Sequence, residues 1–150
     1  LGGRTRTVGE MLAAELGFPA EEIRETVPRR GFGTFLKAGR DAATGRTPPI
    51  EPPSPAVRAA RCVVVGTPVW ASTMAPAVRT FISTHRGEIA RAAFFCTMGC
   101  AGAERTFAAM EALLGAAPAA AASFLEREVR AGASGRVRDF AEALRAAVPL

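Results

Sequence analysis

The stretch CVVVGTPVWASTMAP, residues 62–76, decides the fold of this chain. It opens with the apolar run Cys62–Val65, in which three successive residues are β-branched. Such a run, closed by Gly66, predicts a strand that is covered on both faces, as strands of parallel sheets are. The residues Thr67–Ala75 then predict a loop, and Pro76 stands where a proline is permitted in the first turn of a helix.

On both sides of this stretch the chain alternates between helical and strand patterns. Helices are predicted at Thr5–Leu16, Gly31–Ala43, Pro76–His85, Ala103–Leu114 and Gly135–Val148, and strands at Glu22–Val27, Cys62–Val65, Ala92–Cys96 and Ala121–Leu125. Glu22–Val27 is expected at an exposed edge, and the proline-rich segment Gly45–Pro55 predicts a loop. The alternation predicts one α/β domain over residues 1–150, a parallel sheet with helices on both faces.

The charge of the chain is basic, with a formal net charge of +5 and a pI of about 10.4. Lys37 is the single lysine, and the arginines are dispersed along the sequence rather than gathered into a patch. Dispersed charge does not predict a nucleic-acid interface. No apolar run is long enough to span a membrane, and the start lacks a secretory pattern, so we expect a cytoplasmic protein without a membrane partner.

The three cysteines, Cys62, Cys96 and Cys100, are an odd number. Without a signal peptide, they argue against a disulfide framework and for a reducing compartment. His85 is the single histidine, which leaves too few ligands for a structural zinc site, and we expect it on the surface of a helix. A redox pair of Cys96 and Cys100 stays open as an alternative, although their spacing is wider than usual.

Ligands of open parallel sheets bind at the carboxyl ends of the strands, so the loops there form the candidate site. The first loop, Gly2–Thr5, directly precedes a helix. Its backbone N–H groups, the helix N-terminus and the Thr5 hydroxyl suit a phosphate. The alternative is a chain terminus at which Thr5 merely caps the helix.

The second and third candidate loops follow the two most apolar strands. Residues 66–76 contain Trp70, the only tryptophan, whose ring could flank a flat heteroaromatic ligand or simply cover the edge of the core. Residues 96–102 contain Gly99 and Gly102, which would expose backbone groups to the edge of such a ring. The alternative for this loop is an ordinary strand-to-helix turn.

Three such loops, in this order and spacing, resemble those of the flavodoxin family. The segments that carry the resemblance are VVVGTPVWASTMAPAVRTFI (63–82), FFCTMGCAGAERTF (94–107) and GGRTRTV (2–8). The resemblance spans nearly the whole chain and implies a flavodoxin-like three-layer sandwich with the strand order 2-1-3-4-5. It also implies that the first, central strand would precede Leu1, so these 150 residues are expected to begin after it.

The resemblance further implies flavin mononucleotide (FMN) as the cofactor. The phosphate is expected at Gly3, Arg4 and Thr5, with the ring between Thr67, Pro68, Val69 and Trp70 on one side and Thr97, Met98, Gly99 and Cys100 on the other. No catalytic acid–base set and no metal site are implied.

Three functions remain open at this point. The first is an FMN-binding electron carrier that serves a redox partner protein or a small-molecule acceptor. The second is an NAD(P)H-dependent FMN or quinone reductase, and the third is a flavin-free interaction domain. The basic charge and the absence of tyrosine depart from many carriers of the family, and a homodimer is also open.

Overall fold

A computed structural model describes residues 3–26 and 44–148 of the chain. Its helices are α1 (Arg4–Leu16), α2 (Pro55–Ala59), α3 (Pro76–His85), α4 (Ala103–Leu114), α5 (Glu126–Arg130) and α6 (Ser134–Ala147). Its strands are β1 (Val63–Trp70), β2 (Thr73–Met74), β3 (Ala92–Met98) and β4 (Ala121–Leu125). The helix predicted at Gly31–Ala43 lies outside the described residues.

The strands form one sheet in the order β2-β1-β3-β4. β1, β3 and β4 are parallel and lie side by side in chain order, with Val63 opposite Ala92 and Phe94 opposite Ala121. β2 is a short antiparallel strand that folds back onto the end of β1. The prediction of an α/β domain built on a parallel sheet is therefore confirmed.

Helices cover both faces of the sheet. On one face α1 and α6 bury a cluster that includes Val8, Leu12, Phe95, Phe124, Phe140 and Leu144. On the other face α3 and α4 bury a cluster that includes Val65, Phe81, Ile82, Phe94 and Met110. Phe94 and Phe95 enter different clusters because successive side chains of a strand point to opposite faces. β3 is thus buried on both sides, and the arrangement has three layers.

The loop predicted at Thr67–Ala75 is wrong in its first part, because β1 continues to Trp70. The N–H of Val63 bonds to Arg91 O on the β3 side, at 2.9 Å. Backbone groups of a strand alternate between its two edges, so Pro68 faces the edge of β2, just outside the pairs Val69–Met74 and Trp70–Thr73, and its missing N–H removes no bond of the β1–β3 ladder. Similarly, β3 runs to Met98 rather than ending at Cys96 as predicted.

The strand predicted at Glu22–Val27 is wrong over the residues that are described. Glu25 forms a single antiparallel bridge with Ile50, outside the main sheet. Too few apolar side chains lie in this segment to bury a strand face. In the described part of the chain, the parallel part of the sheet consists of β1, β3 and β4, side by side in chain order, and the rest of the expected order 2-1-3-4-5 stays a prediction.

The expectation that His85 lies on the surface is wrong, because it is only 8% exposed. It stands one turn after Phe81 on the inner face of α3, with the two ring centroids 5.3 Å apart. Its Nδ1 lies 3.1 Å from Glu88 Oε2. His85 therefore anchors the end of α3 opposite to the candidate loops.

The ends of the long helices follow the predicted signals. Gly17 and Gly115 adopt the left-handed conformation directly after α1 and α4. The short helices α2 and α5 were not predicted. Within residues 3–26 and 44–148, no helix is long and apolar enough to cross a membrane.

Candidate functional site

The carboxyl ends of the three parallel strands lie at one edge of the sheet. β1 ends at Trp70, β3 at Met98 and β4 at Leu125. Helix α1 begins at the same edge, because Thr5 Oγ1 lies 2.6 Å from Thr97 Oγ1 at the end of β3. The structure therefore brings the first and third predicted loops together.

The N-terminus of α1 faces this edge without a side-chain cap. Gly3 is the N-cap residue, and the first turn contains no acidic residue. A Cβ built on Gly3 would meet no described atom within 4 Å. The first N–H groups of a helix have no acceptor within it and carry partial positive charge. The alternative in which Thr5 caps the helix is wrong, because its hydroxyl contacts Thr97 instead.

An ion pair adds the end of β4 to the site. Arg4 Nη1 lies 3.0 Å from Glu126 Oε1, and the two side chains are 28% and 40% exposed. Glu126 is the first residue of α5 and follows β4 directly. Sequence reasoning missed it, although its place behind a predicted strand put it at the carboxyl edge, where ligands of such sheets bind.

The second loop is held in place by Thr67, which is fully buried. Its hydroxyl donates to Pro68 O at 2.9 Å and accepts from the Ala75 N–H at 3.0 Å. These bonds tie the start of the loop to its end. The Thr67 side chain thus stabilises the loop and offers no surface to a ligand.

The tip of the second loop is a two-residue turn between β1 and β2. Trp70 pairs with Thr73, and the intervening Ala71 and Ser72 have φ angles of 48° and 60°. Two left-handed residues define the tight hairpin turn that usually contains Asn and Gly. Trp70 is half-buried against the core cluster that α3 and α4 cover. The alternative prediction, that Trp70 covers the edge of the core, therefore applies to the buried part of its side chain.

The third loop leaves the sheet at Met98, which is half-buried, and continues through the exposed Gly99 and Cys100. It meets the second loop at Gly102, whose φ is 109°. A Cβ on Gly102 would lie 2.8 Å from Val69 Cγ1. The two loops predicted to flank a ring are therefore neighbours, and their junction requires glycine.

The cysteines near the site are free thiols. Cys96 is fully buried, and burial raises the pKa of its thiol to about 11, whereas Cys100 is exposed. A thiol that remains protonated is a poor nucleophile. This disfavours the alternative of a redox pair between Cys96 and Cys100.

A separate groove lies away from the candidate loops. It has a volume of about 480 Å³ and is lined mainly by residues 20–24 and 50–54, together with Phe81. None of the predicted site residues lines it. The predicted site residues lie at the carboxyl edge of the sheet and not in this groove.

Solved structures of other proteins are similar in fold to this chain. No protein-family model and no curated protein sequence matches the chain. A flavoprotein from Lactobacillus acidophilus NCFM, solved in complex with FMN, is similar in structure with a TM-score of 0.69 and 18% identity, over 88% of this chain and 92% of that one. A protein from Bacteroides eggerthii DSM 20697, proposed to be a flavoprotein, has a TM-score of 0.67 and 18% identity, over 87% and 88%. These likenesses show that the chain has a flavodoxin-like fold.

Proposed function

We propose that this chain is an FMN-binding redox protein that exchanges electrons with a partner protein or a small-molecule acceptor. The observation that carries the proposal is the contact between Thr5 and Thr97, which brings the start of α1 to the carboxyl edge of the sheet. The similar fold of a flavoprotein solved in complex with FMN supports the choice of ligand.

The residues at the start of α1 fit a phosphate group. The N–H groups of the first turn point out of the helix, and the exposed Gly3 lets a ligand approach the backbone closely. Arg4 supplies a planar cation that binds phosphate oxygens in a fork, and Thr5 supplies a hydroxyl. Both side chains would exchange their present partners, Glu126 and Thr97, for the phosphate.

The second and third loops fit a flat ring of mixed polarity. Trp70 offers an aromatic surface that the core covers only in part, and Met98 offers a polarisable side chain. Gly99 is exposed, and a Cβ on it would meet no described atom within 4 Å, so its backbone groups are accessible to polar atoms at a ring edge. Thr67 acts indirectly, by fixing the shape of the second loop.

When bound, FMN would supply the electron-transfer chemistry, and the protein would hold and orient it. Three roles fall to this chain. The α1 terminus binds the phosphate, the two loops exclude water from the ring, and nearby charges such as Arg4 influence how readily the ring accepts electrons.

The proposal is tested by titrating the purified chain with FMN and following the quenching of flavin fluorescence and the visible flavin spectrum. We expect saturable binding that weakens at least tenfold, which is about 1.4 kcal/mol, when Arg4 is changed to Gln. Arg138→Gln on α6 is the matched control, since it removes the same charge elsewhere. A chain that binds no FMN under these conditions overturns the proposal.

A second measurement separates the electron carrier from a reductase. The FMN-loaded protein is mixed with NADPH and a quinone, and NADPH consumption is followed. A carrier accepts electrons from a chemical reductant such as dithionite but does not consume NADPH catalytically. Steady consumption of NADPH would assign the chain to the NAD(P)H-dependent reductases instead.

A further inference from the structure

The ion pair between Arg4 and Glu126 places a carboxylate where the proposed phosphate would bind. Arg4 Nη1 and Glu126 Oε1 are 3.0 Å apart. Glu126 comes from α5, whereas the first turn of α1 has no acidic residue of its own. An anionic group from a different element thus contacts the cation at the start of α1.

A guanidinium binds carboxylate and phosphate through the same planar edge. In this structure Arg4 Nη1 and Glu126 Oε1 are 3.0 Å apart, and both side chains are partly exposed to solvent. Such a pair contributes little stability and exchanges readily for a better anion. The Glu126 carboxylate therefore occupies the guanidinium of Arg4 in the way that a phosphate would, and it adds little to the stability of the fold.

We propose that Glu126 competes with the phosphate of the flavin nucleotide for Arg4, and that it thereby sets the selectivity of the site between phosphorylated and unphosphorylated flavins. This inference rests on the proposed FMN site. A carboxylate and a phosphate on the same guanidinium repel each other, and in this partly exposed site removal of one of them should strengthen binding of the other roughly three- to tenfold.

An opposite role for Glu126 would be to orient Arg4 for the phosphate. Orienting a partly exposed arginine has a small effect, because an ion pair that solvent reaches holds long side chains only weakly. The repulsion between a carboxylate and a phosphate, which carries more than one negative charge, is larger. Charge competition therefore outweighs orientation, and the two roles predict opposite changes in affinity.

The test is the variant Glu126→Gln, which keeps the side-chain size and removes the charge. Dissociation constants are measured for FMN, for riboflavin and for inorganic phosphate, the last by thermal shift. Glu111→Gln is the matched control, since Glu111 is an exposed residue of α4 on the opposite face of the sheet. Arg4→Gln and the double variant complete a mutant cycle.

We expect Glu126→Gln to bind FMN roughly three- to tenfold more tightly than the unmodified chain at low salt, with a smaller gain at high salt. The phosphate response should rise in parallel, riboflavin binding should not change, and the gain should vanish when Arg4 is also replaced. Glu111→Gln should bind all three probes like the unmodified chain.

Several outcomes overturn the inference. Equal gains for FMN and riboflavin would show that the phosphate is not involved. Weaker FMN binding by Glu126→Gln would assign Glu126 an orienting role, and an unchanged affinity would assign it none. If neither protein binds FMN but the variant still gains affinity for inorganic phosphate, the proposed function fails while the competition at Arg4 stands. If neither FMN nor inorganic phosphate binds to the unmodified chain or to the variant, both the proposed function and the competition at Arg4 fail.

Discussion

The ring of Phe95 occupies the space that any side chain at Gly66 would need. The two residues are directly opposite each other in the β1–β3 ladder, and a Cβ built on Gly66 would overlap Phe95 Cζ. Phe95 in turn packs edge-on against Phe124 of β4, with ring centroids 6.2 Å apart. The glycine thus lets one aromatic side chain lie flat across β1 beneath α1, next to the strand end that bears the candidate site.

Gly66→Ala should destabilise the protein by about 3 kcal/mol, because the new methyl group overlaps a ring that is itself packed on Phe124. Urea unfolding, followed by the fluorescence of Trp70, measures the change. Gly87→Ala is the control, since no described atom lies within 4 Å of a Cβ there.

A second-site variant separates this overlap from a general effect of alanine in β1. Phe95→Leu replaces the ring with a smaller aliphatic side chain and so removes the overlap. It should therefore cost less stability in the Gly66→Ala background than in the unmodified chain. Additive losses from the two changes would contradict the explanation.

The alternation of helices and strands could be predicted because the spacing of apolar residues differs between the two kinds of element and because glycine or proline residues mark many of their ends. β4 was predicted with the correct ends, and α3 and α4 likewise. The length of β1 could not be predicted, since Pro68 looks like a strand breaker until the neighbouring strand is known. Whether the proline costs a hydrogen bond depends on which edge of β1 its backbone faces and on how far the ladder at that edge extends, and both are properties of the sheet.

The candidate site was predictable only in part, for a similar reason. The rule that ligands of parallel sheets bind beyond the carboxyl ends of the strands selected the loops that contain Thr5 and Trp70, and the resemblance to the flavodoxin family added Thr97 as a site residue. The partners of those residues are set by tertiary packing. No local pattern indicates that Arg4 meets Glu126 or that Thr67 turns inward, so the pairing of Arg4 and the burial of Thr67 appear only in the folded chain.

Ala71→Gly should stabilise the protein by about 0.5–1 kcal/mol. Ala71 has a φ of 48° in the turn between β1 and β2, and a non-glycine residue there carries strain that exceeds the extra entropy of glycine in the unfolded chain. Ala131→Gly is the matched control, because Ala131 is exposed and has a φ of −83°. The control should lose stability by about 0.5–1 kcal/mol. Losses in both variants would refute the presence of strain in the turn.

The thiols of Cys96 and Cys100 should differ sharply in their reactivity. Cys100 is exposed and should react with a thiol reagent such as Ellman's reagent in the native protein. Cys96 is fully buried, and its raised pKa keeps it protonated, so it should react only after unfolding. If the proposed flavin site is correct, added FMN should also slow the reaction at Cys100. Cys100→Ala identifies the fast phase, and its persistence in that variant would contradict the assignment.

The interaction between Thr5 and Thr97 should contribute about 1 kcal/mol to stability, as a neutral hydrogen bond does. Thr5→Val, Thr97→Val and the double variant measure it as a coupling energy in urea unfolding. Thr84→Val on α3 controls for the loss of a threonine hydroxyl, since Thr84 is exposed and lies outside this contact. A coupling energy near zero would mean that the start of α1 is held at the sheet edge by other contacts.

Stability should fall between about pH 9 and pH 11 because of Cys96. Burial raises the pKa of its thiol from 9.0 to about 11, so over this range the unfolded chain loses the proton that the native protein keeps. The contribution of Cys96 to the free energy of unfolding is therefore fully present below pH 9 and is lost as the pH rises toward 11, by about 2–3 kcal/mol.

Cys62 adds to the same trend, since burial also raises its thiol pKa despite the opposing charge of Arg91. The chain contains no tyrosine and a single lysine, which limits other contributions in this range. Urea unfolding across the pH series, with reductant present, should show a shallower decline for Cys96→Ala than for the unmodified chain, whereas equal slopes in the two proteins would rule out the buried thiol as the cause.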